Sequence, residues 1–165
     1  MRNTFINLAL LLGSLILFFG GIELALRITG LQRTAPNPPL IYQVSANPQI
    51  SYELQPNIRK KAFKATVTTN SAGFRSPEID ESKPLIAILG DSVAFGYGVE
   101  DSEVLGAQMQ QLLPQWSVLS AAVPGYNLTQ EVATYREKIA PLDPEVLIIV
   151  FYFNDIGGDA GFLHT

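Results

Sequence analysis

Two residue types that carry much of enzyme chemistry are absent or nearly absent from this sequence. There is no cysteine, which excludes a disulfide framework and a thiolate metal site. There is one histidine, His164, so a histidine general base has a single candidate in these 165 residues. Long basic runs are also lacking and the formal net charge is −4, so no electrostatic footprint for nucleic-acid binding is present. The length is enough for about one domain.

A single long hydrophobic run is present, from Phe5 to Leu26. As a helix this run would be about 33 Å long, enough to cross the ~30 Å hydrocarbon core of a bilayer. It is longer than the apolar core of an ordinary signal peptide, and the exit Leu24-Ala25-Leu26-Arg27 offers no small-x-small cleavage site. We therefore predict an uncleaved single-pass membrane anchor over residues 1–30.

The next segments are predicted to be extended. Residues 31–48 contain four prolines, which favour a non-helical linker. Residues 49–82 are predicted to form a small β appendage with short strands at Ile50–Leu54 and Lys64–Thr69. We interpret the charged run Arg59–Lys61 as solvated, with a contact to anionic lipid headgroups as the alternative.

The remaining range, 83–165, begins with a pronounced strand pattern. Leu85 to Leu89 is a continuous apolar run that ends at Gly90-Asp91-Ser92, typical of a strand buried on both faces. Ser92 then lies at the carboxyl end of the strand, where open α/β sheets bind their ligands. A hydroxyl between tight-turn residues is either a nucleophile or only a turn or helix-cap residue, and this stretch alone leaves both alternatives open.

A helix and a second strand are predicted next. The helix runs from about Glu103 to Leu113, with Asp101 or Ser102 as its cap. The residues predicted to form its apolar face are Leu105, Met109, Leu112 and Leu113. The strand that follows covers Val118 to Ala121.

A second helix and a third strand complete the pattern. Asn127 and Gln130 fit a capping box, and the helix that they start is predicted to reach about Ala140. The residues predicted to be buried along it are Leu128, Val132, Tyr135 and Ile139. The strand Val146–Phe151 is wholly apolar. Three strands alternating with two helices indicate an α/β fold with a parallel sheet.

The three predicted strands all end in turns that carry a polar residue or a glycine. Ser92 follows the first strand, Gly125 the second and Asn154 the third. The carboxyl ends of parallel strands share one edge of the sheet, so a hydroxyl, a backbone N–H and a side-chain amide are expected together there. Acyl transfer requires this set, because the hydroxyl attacks while the donors stabilise the oxygen that gains negative charge.

At these three turns the sequence resembles the SGNH, or GDSL-type, hydrolase superfamily. The first block of that family is similar to Ile88–Gly96, the second to Ala122–Tyr126 and the third to Asn154-Asp155. The resemblance covers about Lys83 to Asp155. It implies a flavodoxin-like three-layer α/β/α sandwich with a parallel sheet of about five strands, of which about three are expected here.

The resemblance also implies roles for individual residues. Ser92 would be the nucleophile. The oxyanion hole would be formed by the backbone N–H groups of Ser92 and Gly125 and by the side-chain amide of Asn154. Asp91 would support the turn, and Asp155 would lie behind the residues that contact the substrate. The implied activity is the hydrolysis of acyl esters, or the transfer of the acyl group to another hydroxyl, without a metal or cofactor.

Two positions depart from the pattern of the family. Ser120 stands where the second block often has an asparagine. The general base of the family is a histidine with an aspartate three residues before it, whereas His164 has Gly161 at that position. We interpret His164 as a tail residue. We expect the sequence to be a C-terminally truncated part of a longer hydrolase, which lacks the Asp-His base and is nearly inactive alone.

The hydrophobic anchor, the proline-rich linker and the stretch Asn70–Arg75 look like membrane-anchored bacterial members of the family. This similarity implies the bacterial inner membrane, with the catalytic domain in the periplasm or outside the cell. The charge count, with Arg27 and Arg33 after the hydrophobic run, does not favour that orientation. The implied partners are the membrane and an acyl-ester small molecule or acylated glycan.

Two other functions stay open on the sequence. A non-catalytic cell-envelope module with the same fold would bind a glycan or a protein partner, and the missing base favours it. A flavodoxin-like binder of phosphate or flavin would use the Gly90-Asp91-Ser92 turn at the start of a helix. The oligomeric state is not predicted.

Overall fold

The computed structural model of the protein describes residues 2–29 and 40–152. The chain divides into two compact units, Met1–Ala35 and Pro36–Thr165. The described part of the first unit forms the helix α1 (Arg2–Thr29), of which Asn3–Thr29 is long and apolar enough to cross a membrane. The sequence predicted this helix, which extends beyond the apolar run Phe5–Leu26 at both ends and lies within the predicted range 1–30. Near its end the Arg27 guanidinium contacts Glu23 at 2.7 Å, which partly offsets both charges.

The second unit opens with two antiparallel hairpins. β1 (Tyr42–Val44) pairs with β2 (Tyr52–Leu54), and β3 (Arg59–Ala62) pairs with β4 (Ala65–Thr68). β2 and β4 lie inside the two predicted strands, while β1 and β3 were not predicted. The charged run Arg59–Lys61 is exposed, as expected, but it forms most of strand β3.

A parallel sheet of three strands follows, in the order β6-β5-β7. Its central strand is β5 (Leu85–Gly90), flanked by β6 (Ser117–Ser120) and β7 (Val146–Val150). The intervening helices are α2 (Ser92–Phe95), α3 (Leu105–Leu112) and α4 (Leu128–Thr134). α4 continues through a π turn at Tyr135–Ile139 and a 3₁₀ turn at Ala140–Leu142. The chain is therefore a mixed α/β protein, and the predicted parallel pairing is confirmed.

Residues of β5 alternate between two hydrophobic clusters, one on each face of the sheet. Ile86 and Ile88 belong to one cluster, and Leu85, Ala87 and Leu89 belong to the other. The first cluster also contains apolar residues of the hairpins, namely Tyr52, Leu54, Ala62 and Val67. The predicted β appendage is therefore packed onto the parallel sheet and completes the core on that face.

The third strand, β7, forms one edge of the sheet within the described residues. β7 pairs only with β5 within the described residues, and its side chains are largely exposed, with Ile149 at 51%. Phe151 and Tyr152 beyond it are exposed as well. Its uniform apolar sequence correctly indicated a strand, but periodicity carries no information on how many layers cover it.

The predicted start and apolar face of α3 are partly wrong. The helix starts after Val104, which caps it without a side-chain hydrogen bond. The side that faces the sheet is centred on Gly106, whose added Cβ would lie 3.0 Å from the Cβ of Ser120. Gln110 on the same side binds the backbone of β6 at Trp116 and Val118. Leu112 is consequently 79% exposed rather than buried.

The predicted capping box of α4 is confirmed, because Asn127 and Gln130 each accept from the other's backbone N–H. Its buried face is not the predicted one. The Gln130 amide donates to the oxygen of Ile50 at 2.8 Å, which turns polar residues inward. Leu128 and Val132 are 41% and 38% exposed as a result, while Ile139 is buried as predicted.

An ion pair between β2 and the π turn makes stability depend on pH. Burial opposes the charge of Glu53, but hydrogen bonds from Lys138 and Gln43 outweigh it and hold the pKa of the Glu53 carboxyl below its ordinary value. A lowered folded-state pKa contributes stability at neutral pH, which is lost as the pH falls through that pKa.

We therefore expect Glu53→Gln to lower the free energy of unfolding by about 0.5–1 kcal/mol at pH 7. The difference from the wild type should shrink as the pH falls below the ordinary glutamate pKa of about 4.3, and it should disappear at about pH 2, where the carboxyl is protonated in both states. Urea unfolding of the wild type and of Glu53→Gln at neutral and at acidic pH measures this difference. Glu81→Gln, at an exposed position, is the control. A difference that is equal at both pH values would contradict the assignment.

Candidate active site

Ser92 lies at the carboxyl end of the central strand, on a turn that only glycine permits. Gly90 has φ +155°, and an added Cβ would lie 2.7 Å from the Cβ of Ala94 and 3.1 Å from the oxygen of Val150. A side chain here would collide with α2 and β7 together. The glycine therefore lets β5 turn directly into α2 while β7 stays beside it.

The helix cap at this turn is Asp91 and not Ser92. Asp91 is fully buried, and its Oδ1 accepts from the backbone N–H of Val93 at 2.8 Å. Ser92 is the first helical residue and is half-buried. Its Oγ lies 3.5 Å from Oδ2 of Asp91, much longer than an effective hydroxyl hydrogen bond. The alternative that Ser92 caps the helix is thus not what the structure shows.

The loop after Ser92 is held by Arg75, whose importance the sequence did not predict. Its guanidinium is buried beneath α2 and lies 4.8 Å from the centre of the Phe95 ring. It donates five hydrogen bonds, to the Asp101 carboxylate and to the backbone oxygens of Thr66, Phe95, Gly96 and Val99. Asp101, predicted as a helix cap, is instead the charge partner of Arg75 at 2.9 Å.

Gly125 lies in a turn that is docked beside the Ser92 turn. The N–H of Tyr126 donates to the oxygen of Val123 at 3.2 Å, and Gly125 has φ +84°. With Pro124 before it, this is a type II turn, which requires a residue of positive φ at the third position. The N–H of Val123 donates to the oxygen of Gly90 at 3.1 Å, so the two turns are neighbours at the carboxyl edge of the sheet.

The Gly125 turn is fastened to strand β2 by two tyrosines. The Tyr52 hydroxyl donates to the oxygen of Pro124 at 2.9 Å, and the Tyr126 hydroxyl donates to the oxygen of Tyr52 at 2.6 Å. The two rings meet edge to face with centroids 5.4 Å apart. Burial raises the pKa of both hydroxyls, so they remain protonated donors.

Ser120, the departure in the second block, is buried against α3. Its Cβ faces Gly106, where a larger side chain would push the helix away from β6. The serine is therefore matched to the close approach of α3 in this chain.

The third turn lies outside the described residues. Asn154, Asp155 and His164 all follow Tyr152, the last residue described. The structure does place β7, which leads to Asn154, beside β5, with Val150 opposite Gly90. Ser92 and Gly125 are thus brought to the same edge as the end of β7.

No group of three or more metal-ligating side chains occurs within residues 2–29 and 40–152. Comparison with models of known protein families gives no match, and no curated protein matches the sequence. The candidate site is consequently defined by the Ser92 turn, the Gly125 turn and the strands that carry them.

Proposed function

We propose that this protein is a serine esterase of the SGNH type, which hydrolyses acyl esters or transfers the acyl group to another hydroxyl. The observation that carries the proposal is the pairing of two turns at one sheet edge. One presents the Ser92 hydroxyl, which does not cap its helix, and the other contains Gly125 in a type II turn. The strand order β6-β5-β7 is also that of the first three strands of a flavodoxin-like sandwich, which we propose as the complete fold.

In the proposed reaction, Ser92 Oγ attacks the carbonyl carbon of the ester and gives its proton to a general base. Negative charge develops on the carbonyl oxygen, which accepts hydrogen bonds from the N–H groups of Ser92 and Gly125 and from the Asn154 amide. The tetrahedral intermediate collapses to an acyl-serine as the alcohol leaves with the proton from the base. Water, or the hydroxyl of an acceptor, then takes the acyl group from Ser92 and restores the hydroxyl.

Asp91 contributes by positioning rather than by reacting. Its carboxylate is buried and caps α2 through Val93, so the first residue of that helix is held in one place. The N–H of Ser92, as the first residue of the helix, has no intrahelical acceptor. This leaves it available for the oxyanion.

The same proposal places the enzyme at the cell envelope. α1 is long and apolar enough to hold the protein in a bilayer. We propose the bacterial inner membrane, with the second unit on the outer side, and an acyl-ester small molecule or acylated glycan as substrate. Protease digestion of intact spheroplasts tests the orientation, because only an outward second unit is cut.

Covalent labelling tests the proposed nucleophile. The protein, expressed from its complete reading frame and solubilised in detergent, is treated with a fluorophosphonate probe. We expect Ser92 Oγ to displace fluoride from phosphorus and form a stable phosphonyl ester, which tryptic mass spectrometry locates. A serine hydroxyl attacks the probe only when a neighbouring base activates it. Ser102, which is exposed on the surface, should therefore stay unmodified.

The alternative, a non-catalytic module that binds a glycan or a partner, predicts that no serine is labelled above the level of the heat-denatured protein. Labelling at another serine would also contradict the assignment of Ser92. His164→Ala is included as a further variant, and we expect it to be labelled like the wild type.

A further inference from the structure

The peptide that joins Pro124 to Gly125 can adopt two orientations in a turn. Type I and type II turns differ by a rotation of this central peptide of about 180°. Proline at the second position is compatible with both types, and glycine at the third position is compatible with both as well. The residues of the turn therefore permit both directions of the Gly125 N–H, although proline followed by glycine is the usual pair of a type II turn.

A contact from outside the turn favours one of the two orientations of this peptide. The hydroxyl of Tyr52 donates to the oxygen of Pro124 at 2.9 Å, and Tyr52 is only 3% exposed. In a type I turn this oxygen would point away, and the hydroxyl would be left unpaired in the core. A buried donor without an acceptor is costly, so Tyr52 favours the type II orientation.

This choice determines the direction of the Gly125 N–H. The C=O and N–H of a trans peptide lie in one plane and point in opposite directions. Since the Pro124 oxygen points at Tyr52, the Gly125 N–H points away from Tyr52 and the core. Within residues 40–152, no recorded hydrogen bond uses this N–H.

Tyr52 is itself held rigidly. The Tyr126 hydroxyl donates to its backbone oxygen at 2.6 Å. Its ring packs edge to face against Tyr42 and Tyr126, each with centroids 5.4 Å apart. A donor held on a paired strand and between two rings retains its direction.

We infer that Tyr52 is a positioning residue of the oxyanion hole, whose hydroxyl holds the Pro124–Gly125 peptide so that the Gly125 N–H faces the oxygen of an ester bound at Ser92. The inference rests on the proposed function. It gives the β2 hairpin a part in catalysis, although that hairpin lies outside the resemblance to the SGNH hydrolases.

Steady-state kinetics of Tyr52→Phe test the inference, with p-nitrophenyl acetate as substrate and with every variant expressed from the complete reading frame. Removal of one oxyanion donor lowers kcat by about 10²–10³-fold, and we expect about 10-fold here because the freed turn still populates the productive orientation. KM should stay within about twofold, because the oxyanion forms only in the transition state. Tyr42→Phe alters the same aromatic cluster without touching Pro124 and should keep the wild-type kcat.

A double-mutant cycle separates positioning from simple loss of stability. Gly125→Ala disfavours positive φ and so also shifts the turn away from type II. If Tyr52 acts through this peptide, adding Tyr52→Phe to Gly125→Ala should lower kcat no further. A merely structural Tyr52 would give effects that multiply.

The outcomes also distinguish the inference from the proposed function. Wild-type turnover that does not depend on Ser92 overturns the proposed function itself. Turnover that depends on Ser92 but is unchanged in Tyr52→Phe, or is lowered by multiplying factors in the cycle, overturns the positioning role alone. Unfolding in urea is measured for each variant, so kcat refers to the folded fraction.

Discussion

In protein expressed from the complete reading frame, Ser92→Ala is expected to lower kcat for p-nitrophenyl acetate by roughly 10⁴- to 10⁶-fold, because it removes the atom that forms the acyl intermediate. The residual rate would come from the oxyanion donors, which remain in place. The substitution removes one oxygen from a half-buried residue that does not cap its helix. The free energy of unfolding should therefore stay within about 0.5 kcal/mol of the wild-type value.

The matched control is Ser102→Ala, which removes the same oxygen from an exposed position. It should leave both turnover and stability unchanged. Turnover retained in Ser92→Ala would refute the assignment of Ser92 as the nucleophile, because the proposed reaction forms its acyl intermediate on this residue. A wild-type protein without turnover or labelling would favour the binding module instead.

Local patterns in the sequence predicted the part of the site that is built locally. The apolar run before Gly90 is a central strand, and the glycine lies where a side chain would strike both α2 and β7. Asn127 and Gln130 form the predicted capping box. The strand pattern and the capping box depend on residues within about one turn of each other, and sequence patterns report such short-range geometry. The closeness of Gly90 to Val150 of β7 joins distant segments and was not part of the prediction.

Contacts between distant segments were not predictable in the same way. Tyr52 is 72 positions from Pro124, and Arg75 is 20 positions from Phe95. Nothing in the local sequence of either residue indicates its acceptor. The only available signal for Arg75 was its place in the Asn70–Arg75 stretch, which a resemblance noted but no local physical argument explained.

The incorrect predictions of the buried helix faces have one physical origin. The faces of α3 and α4 were predicted from apolar spacing, yet Gln110 and Gln130 turn polar groups inward. Gln110 binds backbone groups at the start of β6, and Gln130 binds the oxygen of Ile50 in the turn before β2. A buried hydrogen bond to the backbone can outweigh the burial of one leucine, because an unpaired buried group costs about 1–3 kcal/mol. The hydrophobic periodicity of a sequence carries no information on such buried hydrogen bonds.

The same physics predicts that Arg75→Met strongly destabilises the second unit. Arg75 is buried, and its five hydrogen bonds include four to backbone oxygens that lie on β4, at the end of α2 and in the loop after α2. Methionine fills part of the volume but donates no hydrogen bond, so these oxygens and the Asp101 carboxylate lose their partner. The Asp101 side chain is 34% exposed and can be hydrated, so the loss comes mainly from the unpaired backbone oxygens, at about 1–3 kcal/mol for each one that stays buried.

Urea unfolding, followed by the fluorescence of Trp116, measures this loss in detergent-solubilised protein. Arg75→Lys should fall between the wild type and Arg75→Met, because an ammonium keeps the charge but cannot span the acceptors that the planar guanidinium reaches. Exposed Arg136→Met is the control and should change stability by less than about 0.5 kcal/mol. Equal unfolding midpoints for Arg75→Met and Arg136→Met would contradict the role of Arg75. Since Arg75 binds the oxygens of Phe95 and Gly96 just after Ser92, the folded fraction of Arg75→Lys should also show a lower kcat.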